Sequence, residues 1–121
     1  MIHFELDRDR SILTITPQGQ LDASDFAHLA EEIDPFIEET GGLRGVMIHA
    51  KAFPGWKDFA ALLSHFRFVR SHEQRIARLA VVSDSEVLTI LPAIAKHFVK
   101  AEVRHFAFDD EAAARAWLAQ A

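Results

Sequence analysis

A chain of 121 residues, half of them apolar, can close one ordinary hydrophobic core and lacks material for a second, so a single domain over residues 1–121 is expected. Thirteen Lys and Arg against eighteen Asp and Glu leave a formal charge of −5, with the basic residues scattered rather than clustered. Binding to phosphates needs clustered cations, so no nucleic-acid partner is expected, and the lack of cysteine excludes disulfides, thiolate catalysis and cysteine-ligated zinc.

No apolar run reaches 18 residues, and the first residues already alternate like a strand, so neither a membrane span nor a signal peptide is expected and the cytoplasm is the expected location. Ile2, Phe4 and Leu6 alternate with His3, Glu5 and Asp7, the period of a strand with one face inward. Asp7 to Arg10 is a polar turn, and Ile12 to Thr16 begins a second strand that closes a hairpin. Asp22 or Ser24 can cap a helix whose stripe is Phe26, Leu29, Ala30, Ile33, Phe36 and Ile37, with Pro35 opposite the stripe and Gly41-Gly42 as the stop.

Leu43 to Ala50 is apolar on both faces apart from Arg44 and His49, as a central strand covered on both sides should be. A loop carrying Phe53, Pro54, Gly55 and Trp56 follows, and then a helix from Asp58 to about Ser71. Its core stripe is expected to be Phe59, Leu62, Leu63 and Phe66, with Phe68 on the opposite, outer side beside Ala61, His65 and His72. Arg78 to Ser83 reads as another inner strand. A third helix, capped by Asp84 and Ser85, is expected to turn Val87, Ile90, Leu91, Ile94 and Phe98 inward and to be interrupted at Pro92. Glu102 to Phe108 alternates as a last strand, and Asp109, Asp110 and Glu111 set negative charge at the start of a final helix that ends with Trp117 and Leu118. The order is β-β-α-β-α-β-α-β-α. It implies an α/β fold with a mixed, mostly parallel sheet of about five strands and four main helices.

With that order over nearly the whole length, together with GQLDASDF at Gly19 to Phe26, FPGWKDF at Phe53 to Phe59, RLAVVSD at Arg78 to Asp84, and EVRHF and EAAARAWL between Glu102 and Leu118, the chain resembles the SpoIIAA-like group of the STAS domain superfamily. The resemblance implies fold more than function. Its namesake anti-anti-sigma factors are switched by phosphorylation of a serine at the start of the second helix. Here that junction is Lys51-Ala52-Phe53-Pro54-Gly55-Trp56-Lys57-Asp58, with no Ser or Thr, so no phosphorylation site and no sigma-factor control are carried over. Relatives nearer this pattern are thought to bind small apolar ligands or to associate with membranes, which the resemblance extends to this chain as an expectation.

The aromatic loop is the candidate site. It lies at the carboxyl end of an inner strand, where open α/β sheets receive ligands. Either Phe53 and Trp56 gate an apolar hollow lined or supported by Phe59, Leu62, Leu63 and Phe66, with Gly55 as hinge, or Trp56 caps a filled core and Pro54 and Gly55 merely turn the chain. Expected partners are a small hydrophobic molecule or lipid, a peripheral membrane contact, or a second copy meeting through Phe68 and the second helix. The seven histidines form no i, i+4 pair or other metal-ligand spacing, and Ser83-Asp84-Ser85 lacks a nucleophile elbow, so no catalytic residue, metal or cofactor is expected. His65 and His72, two turns apart on one helix face, suit a shared pH-sensitive surface, and His49, in an apolar strand, must find a polar partner.

Overall fold

Five strands pair in the order in which they occur along the chain: β1 (Ile2–Asp7), β2 (Ile12–Pro17), β3 (Leu43–His49), β4 (Ile76–Val82) and β5 (Glu102–Phe106). The computed structural model describes residues 1–85, 88, 92 and 100–121. The hairpin β1–β2 is antiparallel and every later pairing is parallel, which gives the mixed, mostly parallel sheet that the element order implies. Among the described residues there are three long helices: α1 (Ala23–Thr40), α2 (Phe59–His72) and α3 (Glu111–Ala119). The helix expected over Val87, Ile90, Leu91, Ile94 and Phe98 lies outside the described residues.

Local chemistry sets the helix ends. Asp22 accepts the Ser24 amide while Asp25 accepts the Asp22 amide, a capping box at the start of α1. Gly41, at φ 91°, ends α1 by returning its amide to the Ile37 carbonyl, a left-handed turn that a side chain would resist. Pro35 is accommodated inside α1 on its exposed side. Asp58 caps α2 by accepting the Ala61 amide at 2.9 Å.

The sheet separates two apolar layers. On one face α3 packs Ala114, Trp117 and Leu118 against Ile12, Met47, Ala80, Val82 and Phe106. Gly45 makes the close approach of α3 feasible, since a Cβ there would lie 2.7 Å from the Leu118 side chain. Arg78 donates to the Trp117 carbonyl at 2.7 Å and lies over the Trp117 ring, fixing the end of α3. On the other face α1 buries Leu29, Ile33, Phe36 and Ile37 against Leu13, Leu43 and Val46. Helix α2 lies beside α1 on this same face and contributes Phe68 to the cluster.

Helix α2 presents the opposite face from the one its largest apolar side chains predict. Phe59 is 70% exposed, Phe66 60% and Leu63 37%, whereas Ala61 and His72 are buried and His65 and Phe68 are half-buried. The two stripes are offset by two positions, roughly 200° around the helix. What decides the roll is the set of partners outside α2. The His65 ring stacks on Phe26 with centroids 4.8 Å apart, Phe68 packs 5.9 Å from the same ring, and His72 bonds to Asp34 of α1. His65 thus meets the Phe26 ring of α1 and the Trp56 indole, and His72 meets the Asp34 carboxylate, which offsets part of the desolvation cost that favoured the all-hydrocarbon stripe. Phe68 is accordingly an interior residue, and its expected place on an outer interaction surface is incorrect.

Candidate functional site

Between α1, α2 and the sheet lies an apolar cavity of about 430 Å³. Its floor is Val46 and Ile48 of β3 and the following Ala50, with Ile15 and Leu79, one side is Leu21, Phe26 and Leu29 from α1 and its approach, and the other is His65, Phe68, Val69 and His72 of α2. Phe53 and Pro54 of the aromatic loop, together with Phe66, form part of the wall. This volume falls within the range typical of small-molecule sites, roughly 300–1,000 Å³. The only polar side chains in its described lining are His65, His72 and Glu73.

The aromatic loop is tied down at two points. The Leu21 amide donates to the Gly55 carbonyl at 2.9 Å and the Lys57 amide donates to the Leu21 carbonyl at 2.8 Å, so Trp56 is bridged to Leu21 like one rung of a parallel ladder. Lys57 also reaches the Asp22 carboxylate at 3.5 Å. The Ser24 amide first, and Lys57 second, hold that carboxyl below its ordinary range. Gly55, at φ 83°, supplies the left-handed turn between these anchors.

Trp56 stands beside the cavity rather than in its wall. Its indole N–H donates to Nδ1 of His65 at 3.1 Å, and its ring meets Phe53 edge-on at 4.8 Å. Nδ1 is thus the acceptor, and the neutral His65 ring carries its proton on Nε2. Burial pushes the His65 imidazole below its ordinary pKa, which favours that neutral form. At the far end of the same helix face, His72 stacks on Phe68 at 4.1 Å and places Nε2 2.6 Å from the Asp34 carboxylate. Its Nδ1 lies 2.8 Å from the Phe68 carbonyl and 2.9 Å from the Ser71 hydroxyl.

Of the residues that the sequence places at this site, Phe53 and Phe66 are in the wall, and Gly55 and Trp56 form the bound turn behind Phe53 and Pro54. Phe59, Leu62 and Leu63 are outside the lining, because α2 is rolled the other way. His65 and His72 are the residues that sequence reasoning left on the surface, although their seven-residue spacing did mark them as sharing one face. His49 finds its partner elsewhere, with Nε2 donating to the Phe108 carbonyl at 3.2 Å and its ring stacked on Phe108. The buried Ser83 hydroxyl donates to the Lys51 carbonyl and accepts the Ser85 amide, a structural arrangement at the strand end. Among the described residues no three His, Asp or Glu side chains are grouped closely enough to hold a metal ion, and no helix is long and apolar enough to cross a membrane.

No curated protein sequence matches the chain. A crystal structure of a DUF3478-family protein with a SpoIIAA-like fold, from Shewanella loihica PV-4, superposes with a TM-score of 0.69 at 21% identity, covering 98% of this chain and 92% of that one. That likeness concerns fold alone. The model of the SpoIIAA-like family matches residues 12–119, nearly the whole length, and the chain belongs to the SpoIIAA-like family.

Proposed function

We propose that this domain is a regulatory module that binds a small apolar molecule between α1 and α2. Membership of the SpoIIAA-like family points to a regulatory or interaction role, and the observation that carries the ligand is the 430 Å³ hollow with its nearly all-hydrocarbon wall. A closed void of 430 Å³ would cost on the order of 10 kcal/mol at about 24 cal/mol per Å³, comparable to the whole stability of a domain. The hollow opens to solvent, so the actual cost is smaller, but the sign favours an apolar occupant over water or vacuum.

In this reading Phe53 and Trp56 form the gate, Gly55 is its turn, and movement of α2 relative to α1 couples occupancy to the outer surface. Native mass spectrometry of protein purified from cells tests it. A non-covalent adduct is expected on the native chain and absent from Ala50→Leu, whose added carbons project from the cavity floor. A native chain that carries no adduct and enhances the fluorescence of no neutral apolar dye would remove the proposal.

A second reading is favoured by the exposed stripe Phe59, Leu63 and Phe66 of α2, flanked by the exposed Lys57, Arg67 and Arg70. It makes α2 a contact face for a second copy of the chain. Sedimentation of the native chain against Phe59→Ser/Phe66→Ser tests this, with a dimer lost in the variant as the expected result. Monomer in both, with co-sedimentation on vesicles lost in the variant, would assign the stripe to a membrane surface instead.

A further inference from the structure

We infer that the cavity selects an uncharged amphiphile carrying a hydrogen-bond acceptor oxygen, a ketone, aldehyde, ester or ether, and that the N–H at Nε2 of His65 receives that oxygen. The inference rests on the apolar-ligand reading above and names the ligand class. Three observations carry it. The Trp56 indole occupies Nδ1 of His65 as a donor, which leaves the neutral ring one N–H, at Nε2. Nothing among the described residues accepts from that nitrogen, while the ring forms part of the cavity wall. No sealed-off side-chain nitrogen or oxygen among the described residues lacks a partner, so the unpartnered Nε2 is not closed off from solvent.

Charge sets the other half of the selection. The cavity's described lining holds no Lys or Arg, His72 is already engaged by Asp34, and the remaining ionisable side chain is Glu73. Among the described residues, a carboxylate or phosphate inside would therefore meet no free cation and one acidic neighbour, at the full cost of leaving water. A carbonyl or ether oxygen meets a positioned donor in apolar surroundings, where leaving either group unpaired is costly. The cavity holds about 14 non-hydrogen atoms if each takes the roughly 30 Å³ that a water molecule takes in the liquid. A ligand of that size has one polar atom to place and a hydrocarbon remainder to bury.

The test uses the full chain at pH 8 and displacement of the neutral dye N-phenyl-1-naphthylamine by hexylbenzene, hexanophenone and 6-phenylhexanoate, in the native protein and in His65→Phe. Expected is a five- to tenfold loss of hexanophenone affinity in His65→Phe, with hexylbenzene unchanged and 6-phenylhexanoate the weakest in the native chain relative to its size. Equal changes for ketone and hydrocarbon, or a carboxylate that binds best, would overturn the inference while leaving an apolar site standing. A dye that never binds, with no competitor effect, would overturn the apolar-ligand reading itself. Nitrogen-15 imidazole spectra of the native chain give a second readout independent of how His65→Phe folds. The signals assigned to His65 should show the Nε2–H tautomer, and hexanophenone but not hexylbenzene should shift its proton; an Nδ1–H tautomer at His65 would refute the assignment.

Discussion

Removing the carboxylate that faces His72 measures how firmly α2 is held against α1. His72 is 9% exposed and its Nε2 lies 2.6 Å from Asp34, whose side chain is about half exposed at 48%. Hydrogen bonds to charged groups contribute about 1.5–3 kcal/mol, but water can reach Asp34 and partly replace the contact once it is truncated. Asp34→Ala should therefore cost about 1–2 kcal/mol. His72→Phe keeps a ring to stack on Phe68 and leaves Asp34 to water, so it should be close to neutral. The double variant should then resemble His72→Phe, giving a coupling of about 1–2 kcal/mol in a double-mutant cycle. Urea denaturation of the four proteins at one pH and salt concentration reads each term. Changes that add to within about 0.3 kcal/mol would refute the pair as a fastener and leave the stacking on Phe68 as what sets the roll of α2.

Acidity should act through His65. Its pKa is lowered by burial, so the folded chain binds fewer protons than the unfolded one below pH of about 6.5; stability should hold above that value, fall as pH drops through the window beneath it, and level off once the folded form also titrates. The groups packed against the ring are Phe26 and Trp56, neither of them charged, and His65→Phe should flatten this segment of the urea-midpoint profile; an unaltered slope would assign the protons elsewhere. Gly45→Ala, whose Cβ would fall 2.7 Å and 2.9 Å from Leu118 atoms, should destabilise by about 1–3 kcal/mol and lose much of that penalty in a Leu118→Ala background, as read by thermal unfolding; full additivity would mean that α3 shifts freely. Gly55→Ala meets no neighbouring atom but must keep φ 83°, so it should cost about 1–2 kcal/mol from backbone strain alone, and a neutral result would show that the loop can adopt another turn.

The strands, a cap of α1 at Asp22 or Ser24, its stop at Gly41-Gly42 and the start of α2 at Asp58 were all legible in the chain, because each depends on residues within a few positions of one another; the structure selects Asp22 and Gly41. The roll of α2 was not. Its segment FAALLSHFRFVRSH carries two stripes, and hydrophobicity alone favours Phe59, Leu62, Leu63 and Phe66. The observed choice depends on Trp56, Phe26 and Asp34, which lie outside the helix and approach it only after folding. The loop that borders the site could be found from its place at a strand end. The hollow behind it could not, since a void is the absence of side chains contributed by several elements at once.

Because each strand lies next to its predecessor in the chain, no pairing has to wait for a distant segment, and closure entropy grows only by about 0.6 kcal/mol per doubling of loop length. Assembly can thus advance across the sheet like a zip fastener. Among the described residues, helix α2 meets the rest through Ala61, two imidazoles, one phenyl ring and a turn latched to Leu21. Amide exchange should find it the earliest of the described helices to detach on the way to unfolding, so that the layer guarding the hollow is also the cheapest of them to lift.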